Sequence, residues 1–301
     1  MAKNILITGS NGQTGKALQK ILQNKYNVLA TSKLNSSLSS NNDIKILDIT
    51  KRSNVQNTVY EFKPDIIINC AAFTDVDGSE SNKNKAHLVN VVGMQNLIYA
   101  SGKDIYIVQI SSDYVFSGDS GPYSENDHTH PVNYYGKTKL EAENILRGSK
   151  KNYLIIRPNV LYSNDLICKA NFFGWVYTNL INNKSISVVN DQISNPTYIS
   201  SLVEAIFKCI ILNTVGIYHY GSDDYLSRYE FAIAIARHFK LDENLIKTIN
   251  TEELIKHVPT YIAKRPRHTG LQTFKIEDEI GLTTYSTDYN LKILKDSFLK
   301  I

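Results

Sequence analysis

The stretch 5-ILITGSNGQTGKAL-18 runs from an apolar, strand-like segment through three glycines into a helical pattern. Gly9 permits a tight turn, Gly12 lets the backbone approach a pyrophosphate, and Gly15 lets the helix pack closely on the strand. A phosphate would then lie at the helix N-terminus, where backbone N–H groups point outward. A lone glycine triplet is a weak signal, but this one lies between a strand and a helix. The stretch therefore predicts a dinucleotide-binding turn.

The remainder of the first half alternates short β-rich runs with amphipathic helical patterns. The predicted strands are 3–8, 27–32, 43–48, 65–70, 104–111 and 153–157, and the predicted helices are 14–24, 51–63, 83–101 and 134–148. Several strand runs are continuous in Val, Ile and Leu, which is typical of strands covered by helices on both faces. We therefore predict an α/β fold with a doubly wound parallel sheet of the Rossmann type.

The pattern changes after residue 162. Helices are predicted at 171–183, 200–211 and 228–239, strands at 185–191 and 216–221, and mostly irregular structure at 264–282. Ser227 and Glu230 form the sequence pattern of a capping box at the start of the third helix. We predict a dinucleotide-binding domain over 1–165 and a smaller, interleaved α/β substrate domain over 166–301, with segments near 185–225 returning to the first.

The composition is that of an ordinary soluble globular protein. The charge of +4 arises from 33 basic and 29 acidic residues with no long block of one sign, so neither nucleic-acid nor membrane-surface binding is predicted. Cys70, Cys168 and Cys209 are far apart, and His128 and His130 lie in a polar loop, so no metal site is predicted. No signal-peptide pattern and no apolar run of roughly 20 residues is present. We expect a cytoplasmic protein.

The end of the second predicted strand, Thr31–Ser32–Lys33, bears on the choice of nicotinamide cofactor. An NAD enzyme usually carries a carboxylate about 20 residues beyond the glycines, for the ribose 2′-hydroxyl. Here two hydroxyls and an ammonium group stand instead, and these suit a 2′-phosphate. We expect NADPH, with NADH as the alternative; a Lys33 that points into water is the competing interpretation. Asp48 offers an acceptor for the adenine amino group, or a helix cap before residue 51.

Two further segments carry groups suited to proton transfer. The fifth predicted strand ends in 110-ISSDYVFSG-118, at the edge of a parallel sheet where ligands bind. In 132-VNYYGKTKLEAE-143, Tyr135 has a lysine four residues on, Lys139, which faces the same side of a helix. Tyr134 has no such lysine and is predicted to be a packing residue.

Hydride transfer to a ketone requires a proton donor for the developing alkoxide. A free phenol has a pKa of about 10, which a neighbouring ammonium group lowers. We therefore predict that Tyr135 donates the proton, that Lys139 tunes it, and that the Ser112 hydroxyl orients the carbonyl oxygen.

The motifs TGSNGQTG, SSDYVFSG and YGKTK resemble those of the extended short-chain dehydrogenase/reductase family. Longer stretches are similar to the dTDP-4-dehydrorhamnose reductase family, and the similarity spans nearly the whole chain: 69-NCAAFTDVDGSE-80, residues 111–143, 190-NDQISNPTY-198 and 263-AKRPRHTGLQTFKIE-277. The resemblance implies NADPH-dependent reduction of the 4-keto group of a nucleotide-linked 6-deoxy sugar. It also implies that 166–301 binds the sugar nucleotide, and it suggests a homodimer.

The resemblance also implies roles for individual residues. The implied catalytic residues are Ser112, Tyr135 and Lys139. The implied cofactor-binding residues are Gly9, Asn11, Gly12, Gln13, Thr14, Gly15, Ser32, Lys33, Asp48, Ile49, Ala71, Ala72, Tyr135 and Lys139. The predicted substrate-binding residues are Thr74, Ser112, Asp113, Asn159, Val160 and Arg265. Arg265 belongs to an arginine pair, with Arg267, whose guanidinium groups can meet substrate phosphates; a surface loop stiffened by Pro266 is the competing interpretation.

Three positions depart from the family pattern. Ser112 stands where threonine is frequent, Val160 where a bulky aromatic residue is typical, and Ser194 where glycine is expected. The nucleotide base, the sugar and the C4 stereochemistry therefore stay open, as does a bifunctional 3- or 3,5-epimerase/4-reductase acting on a UDP-sugar. A non-catalytic regulatory relative of the methionine adenosyltransferase beta-subunit type is a further alternative. A 4-epimerase or 4,6-dehydratase is disfavoured, because the second strand lacks an acid.

Overall fold

The computed structural model describes residues 2–33, 44–168, 171–258, 260 and 263–298. Its strands are β1 (Asn4–Thr8), β2 (Asn27–Ser32), β3 (Ile44–Ile46), β4 (Ile66–Asn69), β5 (Tyr106–Ile110), β6 (Tyr153–Pro158), β7 (Leu161–Tyr162), β8 (Ile186–Val189), β9 (Ile193–Ser194), β10 (Thr197–Tyr198), β11 (Gly216–Tyr220), β12 (Leu226–Ser227) and β13 (Ile246–Ile249). Its α-helices are α1 (Gln13–Leu22), α2 (Arg52–Phe62), α3 (Val76–Ser81), α4 (Lys83–His87), α5 (Gly93–Ala100), α6 (Tyr134–Gly148), α7 (Phe172–Ile181), α8 (Ile199–Leu212), α9 (Arg228–Phe239), α10 (Thr251–His257), α11 (Phe274–Ile280) and α12 (Thr287–Phe298). A π-helical turn, Leu88–Val92, joins α4 to α5.

A seven-stranded sheet has the order β11-β6-β5-β4-β1-β2-β3. The pairings of β1 with β2 and β4, of β2 with β3, and of β5 with β4 and β6 are all parallel. The order reverses between β1 and β4, which is the switch point at which open α/β sheets bind ligands beyond their carboxyl ends. The predicted doubly wound parallel sheet is confirmed.

Helices flank this sheet because its strands are apolar on both faces. Leu6 of β1 and Ile67 of β4 pack with α2 and with Leu97 of α5. Ile107 of β5 and Ile155 of β6 pack with α5 and with α6. Since β4 and β5 are buried along their whole length, their ends are held firmly beneath any ligand at the sheet edge.

The chain divides into two compact units that are interleaved along the sequence. Unit 1 comprises Met1–Ser112, Tyr134–Arg157 and Val203–Tyr218, and unit 2 comprises Asp113–Asn133, Pro158–Leu202 and His219–Ile301. This structural division differs from the functional domains 1–165 and 166–301, whose roles stay a prediction.

An aromatic core holds unit 2 together. Phe173 of α7 and Phe231 of α9 are almost fully buried and pack with Tyr162 and with the apolar face of α12. Trp175, on the same helix as Phe173, is 42% exposed. The capping box predicted at the start of α9 is confirmed, because Ser227 and Glu230 each accept the other's backbone N–H.

Two predicted elements differ from the structure. The predicted helix over 83–101 is interrupted by the π-helical turn, and the predicted irregular stretch 264–282 contains α11, which buries Ile276 and Ile280. None of the helices in the described ranges combines the length and the apolar character needed to cross a membrane.

Candidate active site

The turn between β1 and α1 has no room for side chains at two of its glycines. Gly9 has a φ of +69°, and a Cβ atom there would lie 2.6 Å from the backbone nitrogen of Ala71, at the end of β4. A Cβ atom on Gly15 would lie 2.5 Å from the Gly9 carbonyl oxygen. Gly12 precedes the first residue of α1, so the loop delivers the helix N-terminus directly beyond β1. This geometry is that of a pyrophosphate-binding turn.

The residues predicted to hold the adenosine end of the cofactor are close to this turn. Asn11 donates its side-chain N–H to the Ser32 hydroxyl at 2.9 Å, which ties the glycine loop to the end of β2. Lys33, whose side chain is 60% exposed, forms an ion pair with Asp48 at 3.1 Å. Burial acts to raise the pKa of Asp48, but hydrogen bonds from Thr50 and Lys33 outweigh it and lower the pKa. A hydroxyl, an amide and an ammonium group are thus collected where a 2′-phosphate is predicted.

The alternative role of Asp48 as a helix cap is wrong. The helix α2 has Lys51 as its N-cap, without a side-chain cap. Asp48 instead accepts the backbone N–H and the hydroxyl of Thr50, at 3.0 and 2.7 Å. Its neighbour Ile49 is buried against α5 and accepts a hydrogen bond from Asn96 through its carbonyl oxygen.

A row of buried polar side chains crosses the carboxyl ends of β1, β4 and β5. The Thr8 hydroxyl donates to Asn69 at 2.6 Å, Asn69 donates to Gln109 at 2.7 Å, and Gln109 donates to the carbonyl oxygen of Ile110 at 2.8 Å. These side chains satisfy one another's hydrogen-bonding groups at buried positions where apolar residues would otherwise be expected. They fix the mutual position of the strand ends that carry the glycine turn and the predicted catalytic serine. Sequence analysis missed them, because each looks like an isolated polar residue in an apolar run.

The helix α6 carries the predicted proton donor and its lysine. Tyr135 is 9% exposed and Lys139, one turn later, is 3% exposed. The Lys139 ammonium donates to the carbonyl oxygen of Ile110 at 2.6 Å, two residues before Ser112. Burial lowers the pKa of Lys139 to about 8, against Glu143 and Cys70, which act to raise it. The buried phenol of Tyr135, the ammonium group of Lys139 and the hydroxyl of Ser112 can together deliver a proton to a carbonyl oxygen.

Glu143 and Arg157 form a fully buried ion pair that sequence analysis missed. The Glu143 side chain is 0% exposed and Arg157 is 2% exposed. Arg157 donates two hydrogen bonds to the carboxylate, from Nε at 3.0 Å and from Nη2 at 2.6 Å. The Ser111 hydroxyl, at the end of β5, donates to the same carboxylate. The position of Glu143, four residues after Lys139, was the available signal.

The π-helical turn presents Asn90 to the loop that follows β4. Asn90 accepts the backbone N–H of Phe73 at 2.7 Å and donates to the Phe73 carbonyl oxygen at 3.2 Å. It also donates to the Thr138 hydroxyl at 2.9 Å, and Thr138 in turn donates to the carbonyl oxygen of Tyr135. One side chain therefore joins the loop that contains Ala71 and Ala72 to the predicted catalytic helix.

Within unit 2, the structure gathers predicted and unpredicted residues around Tyr114. Burial raises the pKa of the Tyr114 phenol, against Arg228 and Arg265, whose positive charges act to lower it. Arg228 also hydrogen-bonds the phenol, and the buried Asp113 is its chain neighbour. Arg228, at the first position of α9, was not predicted as a site residue.

The predicted residues Asn159 and Val160 lie between β6 and β7. The Asn159 side-chain N–H donates to the carbonyl oxygen of Thr269 at 2.7 Å, whereas its buried Oδ1 has no hydrogen-bond partner among the described residues. Ser194, where glycine was expected, also has a buried hydroxyl without a partner in the described ranges. Val160 has a φ of +35°, which is strained for a β-branched residue. Buried acceptors without partners and backbone strain are typical of ligand sites.

The remaining predicted residues are distributed around the same sheet edge of unit 1. Gln13 and Thr14 form the first turn of α1, Ala72 follows β4, and Thr74 is exposed just before α3. No group of three or more metal-ligating side chains occurs in the part of the chain that the structure describes.

Comparison with known proteins gives consistent matches along the chain. The family described as the RmlD substrate binding domain matches residues 3–298. A dTDP-4-dehydrorhamnose reductase of Aggregatibacter actinomycetemcomitans is 37% identical over 294 residues, which cover 92% of this chain and 93% of that protein. The methionine adenosyltransferase 2 subunit beta of Xenopus laevis is 29% identical over 287 residues, covering 92% and 82%. A crystal structure of dTDP-4-dehydrorhamnose reductase from Bacillus anthracis str. Ames in complex with NADP has a TM-score of 0.88 and 32% identity, covering 100% of both chains.

Proposed function

The chain belongs to the family of the RmlD substrate binding domain, and from that membership we propose that it is an NADPH-dependent reductase of the 4-keto group of dTDP-4-dehydrorhamnose. The observation that carries the proposal is the buried pair Tyr135 and Lys139, with the Lys139 ammonium 2.6 Å from the carbonyl oxygen of Ile110, two residues before Ser112. Similarity to the 37% identical reductase and to the NADP-bound crystal structure supports the reaction and the cofactor. The predicted family is confirmed.

The residues of unit 1 account for the proton chemistry. NADPH, when bound, supplies the hydride to C4. The Ser112 hydroxyl donates a hydrogen bond to the C4 oxygen and orients it, and the Tyr135 phenol donates the proton that this oxygen requires. The positive charge of Lys139 stabilises the phenolate that remains on Tyr135. Because Lys139 is held on a backbone carbonyl oxygen and has almost no contact with water, its charge acts on the phenol with little screening.

The glycine turn fits a dinucleotide. Because Gly9 and Gly15 have no side chain, the backbone of the loop can lie close to the strand ends, where a Cβ atom would not fit. A phosphate can then approach the N-terminus of α1. Ser32 and Lys33 would hold the 2′-phosphate, and Asp48 the adenine amino group. Ala71 and Ala72 would border the nicotinamide half.

Unit 2 supplies residues suited to the sugar nucleotide. Arg265 and Arg228 both act on the Tyr114 phenol, and two guanidinium groups match the charge and geometry of a diphosphate. The buried Oδ1 of Asn159 offers an acceptor to a ligand hydroxyl. Asp113 and Val160 are the other proposed substrate-binding residues of this unit.

The test is consumption of NADPH, followed by its near-ultraviolet absorbance, with 4-keto-6-deoxy sugar nucleotides that carry dTDP, UDP or GDP. Each nucleotide is offered with and without a separate 3,5-epimerase. We expect oxidation with the dTDP sugar only when the epimerase is present. Oxidation without the epimerase would replace the proposal with a bifunctional epimerase-reductase, and a preference for UDP or GDP would overturn the proposed substrate.

A partner-binding role is the second candidate, and the similarity to methionine adenosyltransferase 2 subunit beta favours it. The same assay separates the two. A chain that binds NADPH yet oxidises it with none of the sugar nucleotides would support a non-catalytic subunit.

A cytoplasmic location and a homodimer complete the proposal, the first from the sequence and the second from the family resemblance. Cell fractionation tests the location. Sedimentation velocity tests the dimer, and a single species of 34.0 kDa, the mass of one chain, would contradict it.

A further inference from the structure

The buried face of α6 continues beyond the predicted catalytic pair. Tyr135, Lys139 and Glu143 follow one another at intervals of four residues, and all three are buried. Side chains at this spacing lie above one another on one side of a helix. The helix meets β5 through the last two of them, since Lys139 donates to the carbonyl oxygen of Ile110 and Glu143 accepts from the hydroxyl of Ser111. Ser112 is the next residue of the chain.

Stability alone does not explain a charged pair at this place. A buried ion pair can often be replaced by apolar residues without loss of stability, because removing both charges from water costs about as much as their attraction returns. The Glu143 carboxylate is nevertheless held by three hydrogen bonds, two from Arg157 and one from Ser111. Its position is therefore fixed, one helical turn beyond the lysine of the proposed reaction.

We propose that Glu143 is a positioning residue of the proposed reductase. It anchors the strand end that presents Ser112, and its negative charge favours the protonated form of the Lys139 amine, one turn from Tyr135. This inference rests on the proposed function for its catalytic meaning. The effect of the Glu143 charge on the protonation of Lys139 does not depend on which substrate the protein binds. Glu143 touches no reacting atom and acts through Lys139 and Ser111.

The charges around Lys139 give the direction of the effect. Glu143, on the same helix, and the Cys70 thiol, after β4, both favour the protonated amine, whereas burial disfavours it. Arg157 of β6 meets the Glu143 carboxylate. Among the helices packed against α6, Glu80 of α3 accepts the backbone N–H of Tyr134, and His87 of α4 pairs with Glu141.

Removal of the Glu143 charge should therefore lower the pH at which the lysine loses its proton. Glu143 favours the charged amine, so loss of its negative charge eases deprotonation of Lys139. The pKa of Lys139 is about 8 in the native chain, and we expect a downward shift of about one pH unit.

The first measurement is direct and needs no substrate. Protein labelled with carbon-13 at lysine is titrated by NMR, with the Lys139 signal assigned by its loss in Lys139→Met. Glu143→Gln removes the charge and keeps one acceptor oxygen, for the Ser111 hydroxyl and Arg157 Nε, whereas its amide nitrogen takes the place of the oxygen that accepts from Arg157 Nη2. Glu141→Gln is the matched control, because it makes the same substitution at a half-exposed position of the same helix. We expect the shift in Glu143→Gln and none in Glu141→Gln.

Glu143→Gln leaves the Arg157 charge buried without a counter-ion, which destabilises the fold. Glu143→Gln/Arg157→Met is therefore titrated in parallel. The double variant removes both charges, so its shift should have the same direction but be smaller, because the positive charge of Arg157 is lost with the negative one. A Lys139 titration equal to that of the native chain in both variants would overturn the proposal. The pH profile of kcat/KM is the second measurement, and its fall at high pH should begin about one pH unit lower in Glu143→Gln and by a smaller interval in the double variant. An inactive native chain with a shifted titration would instead overturn the proposed function and leave the inference standing.

Discussion

At the scale of single residues, the two adjacent tyrosines at the start of α6 have different surroundings. Tyr135 is buried one turn from Lys139, whereas Tyr134 is half-buried and has Lys83 5.5 Å from its ring centre. Removal of the Tyr135 hydroxyl takes away the proposed proton donor, so Tyr135→Phe should lower kcat by roughly 10²–10⁴-fold. NADPH affinity should change little. Tyr134→Phe is the matched control, and equal losses of kcat in both variants would contradict the assignment.

The charge of the buried Lys139 amine should destabilise the folded state. Its pKa of about 8 lies below its ordinary value of 10.5, so the folded state disfavours the charged amine. The unfolded chain binds the extra proton between these two values, so the penalty is full below about pH 8 and fades as the pH rises towards 10.5. After allowance for the lost hydrogen bond to Ile110, Lys139→Met should raise the free energy of unfolding by roughly 1–2 kcal/mol at about pH 7.

Urea unfolding at about pH 7 and about pH 10 checks this expectation, because the gain should shrink at the higher pH. Lys137→Met is the control, since Lys137 is exposed on the same helix. A Lys139→Met variant that is less stable than the native chain at neutral pH would show that the buried charge of Lys139 does not destabilise the folded state.

At the scale of elements, the π-helical turn is the feature that joins the site together. Asn90→Ala removes its hydrogen bonds to both Phe73 backbone groups and to Thr138. We expect the free energy of unfolding to fall by roughly 2–3 kcal/mol and NADPH to bind more weakly, because the loop with Ala71 and Ala72 loses its tie to α6. Chemical denaturation and NADPH fluorescence titration measure the two effects. Asn84→Ala, at an exposed position of the same helical segment, should change neither.

The elements that the sequence predicts well are those with a local pattern. The strands β1, β4 and β5 are continuous apolar runs, the glycine turn stands between a strand and a helix, and Tyr135 and Lys139 are four residues apart. The ion pair of Glu143 with Arg157 joins residues 14 positions apart in two elements, so the spacing of Glu143 from Lys139 does not reveal its partner. A buried glutamate in a helix rich in charge also looks like part of a solvated face.

The π-helical turn is invisible for a related reason. The apolar periodicity from 83 to 101 is continuous, and the extra residue in one turn shifts the helix face without altering composition. Arg228 and Arg265 both interact with Tyr114, and these three residues likewise come from distant segments of the chain. What the sequence could not supply is the tertiary partner of each polar group.

At the scale of the whole molecule, unit 1 is completed by a late segment of the chain. Val203–Tyr218 contributes most of α8 and the start of β11, the strand that pairs with β6 at one end of the sheet. A fragment of residues 1–165 lacks this segment, including Ile217, which packs with Met94 and Ile155. We expect the fragment to aggregate or to unfold without a cooperative transition.

Size-exclusion chromatography and thermal denaturation followed by circular dichroism test the fragment against the full chain. A monomeric fragment that melts cooperatively at the temperature of the full chain would show that the late segment is dispensable.

The same interleaving matters while the protein is being made. On the ribosome, β6 emerges about sixty residues before β11, and at the usual rate of synthesis its outer edge waits roughly 3–12 s for its neighbour. An unpaired, apolar strand edge can join to another nascent chain during that time. Slow translation through residues 159–215 would lengthen the exposure, so the yield of native protein should depend on codon choice in this stretch and on chaperones that cover β6 until β11 arrives.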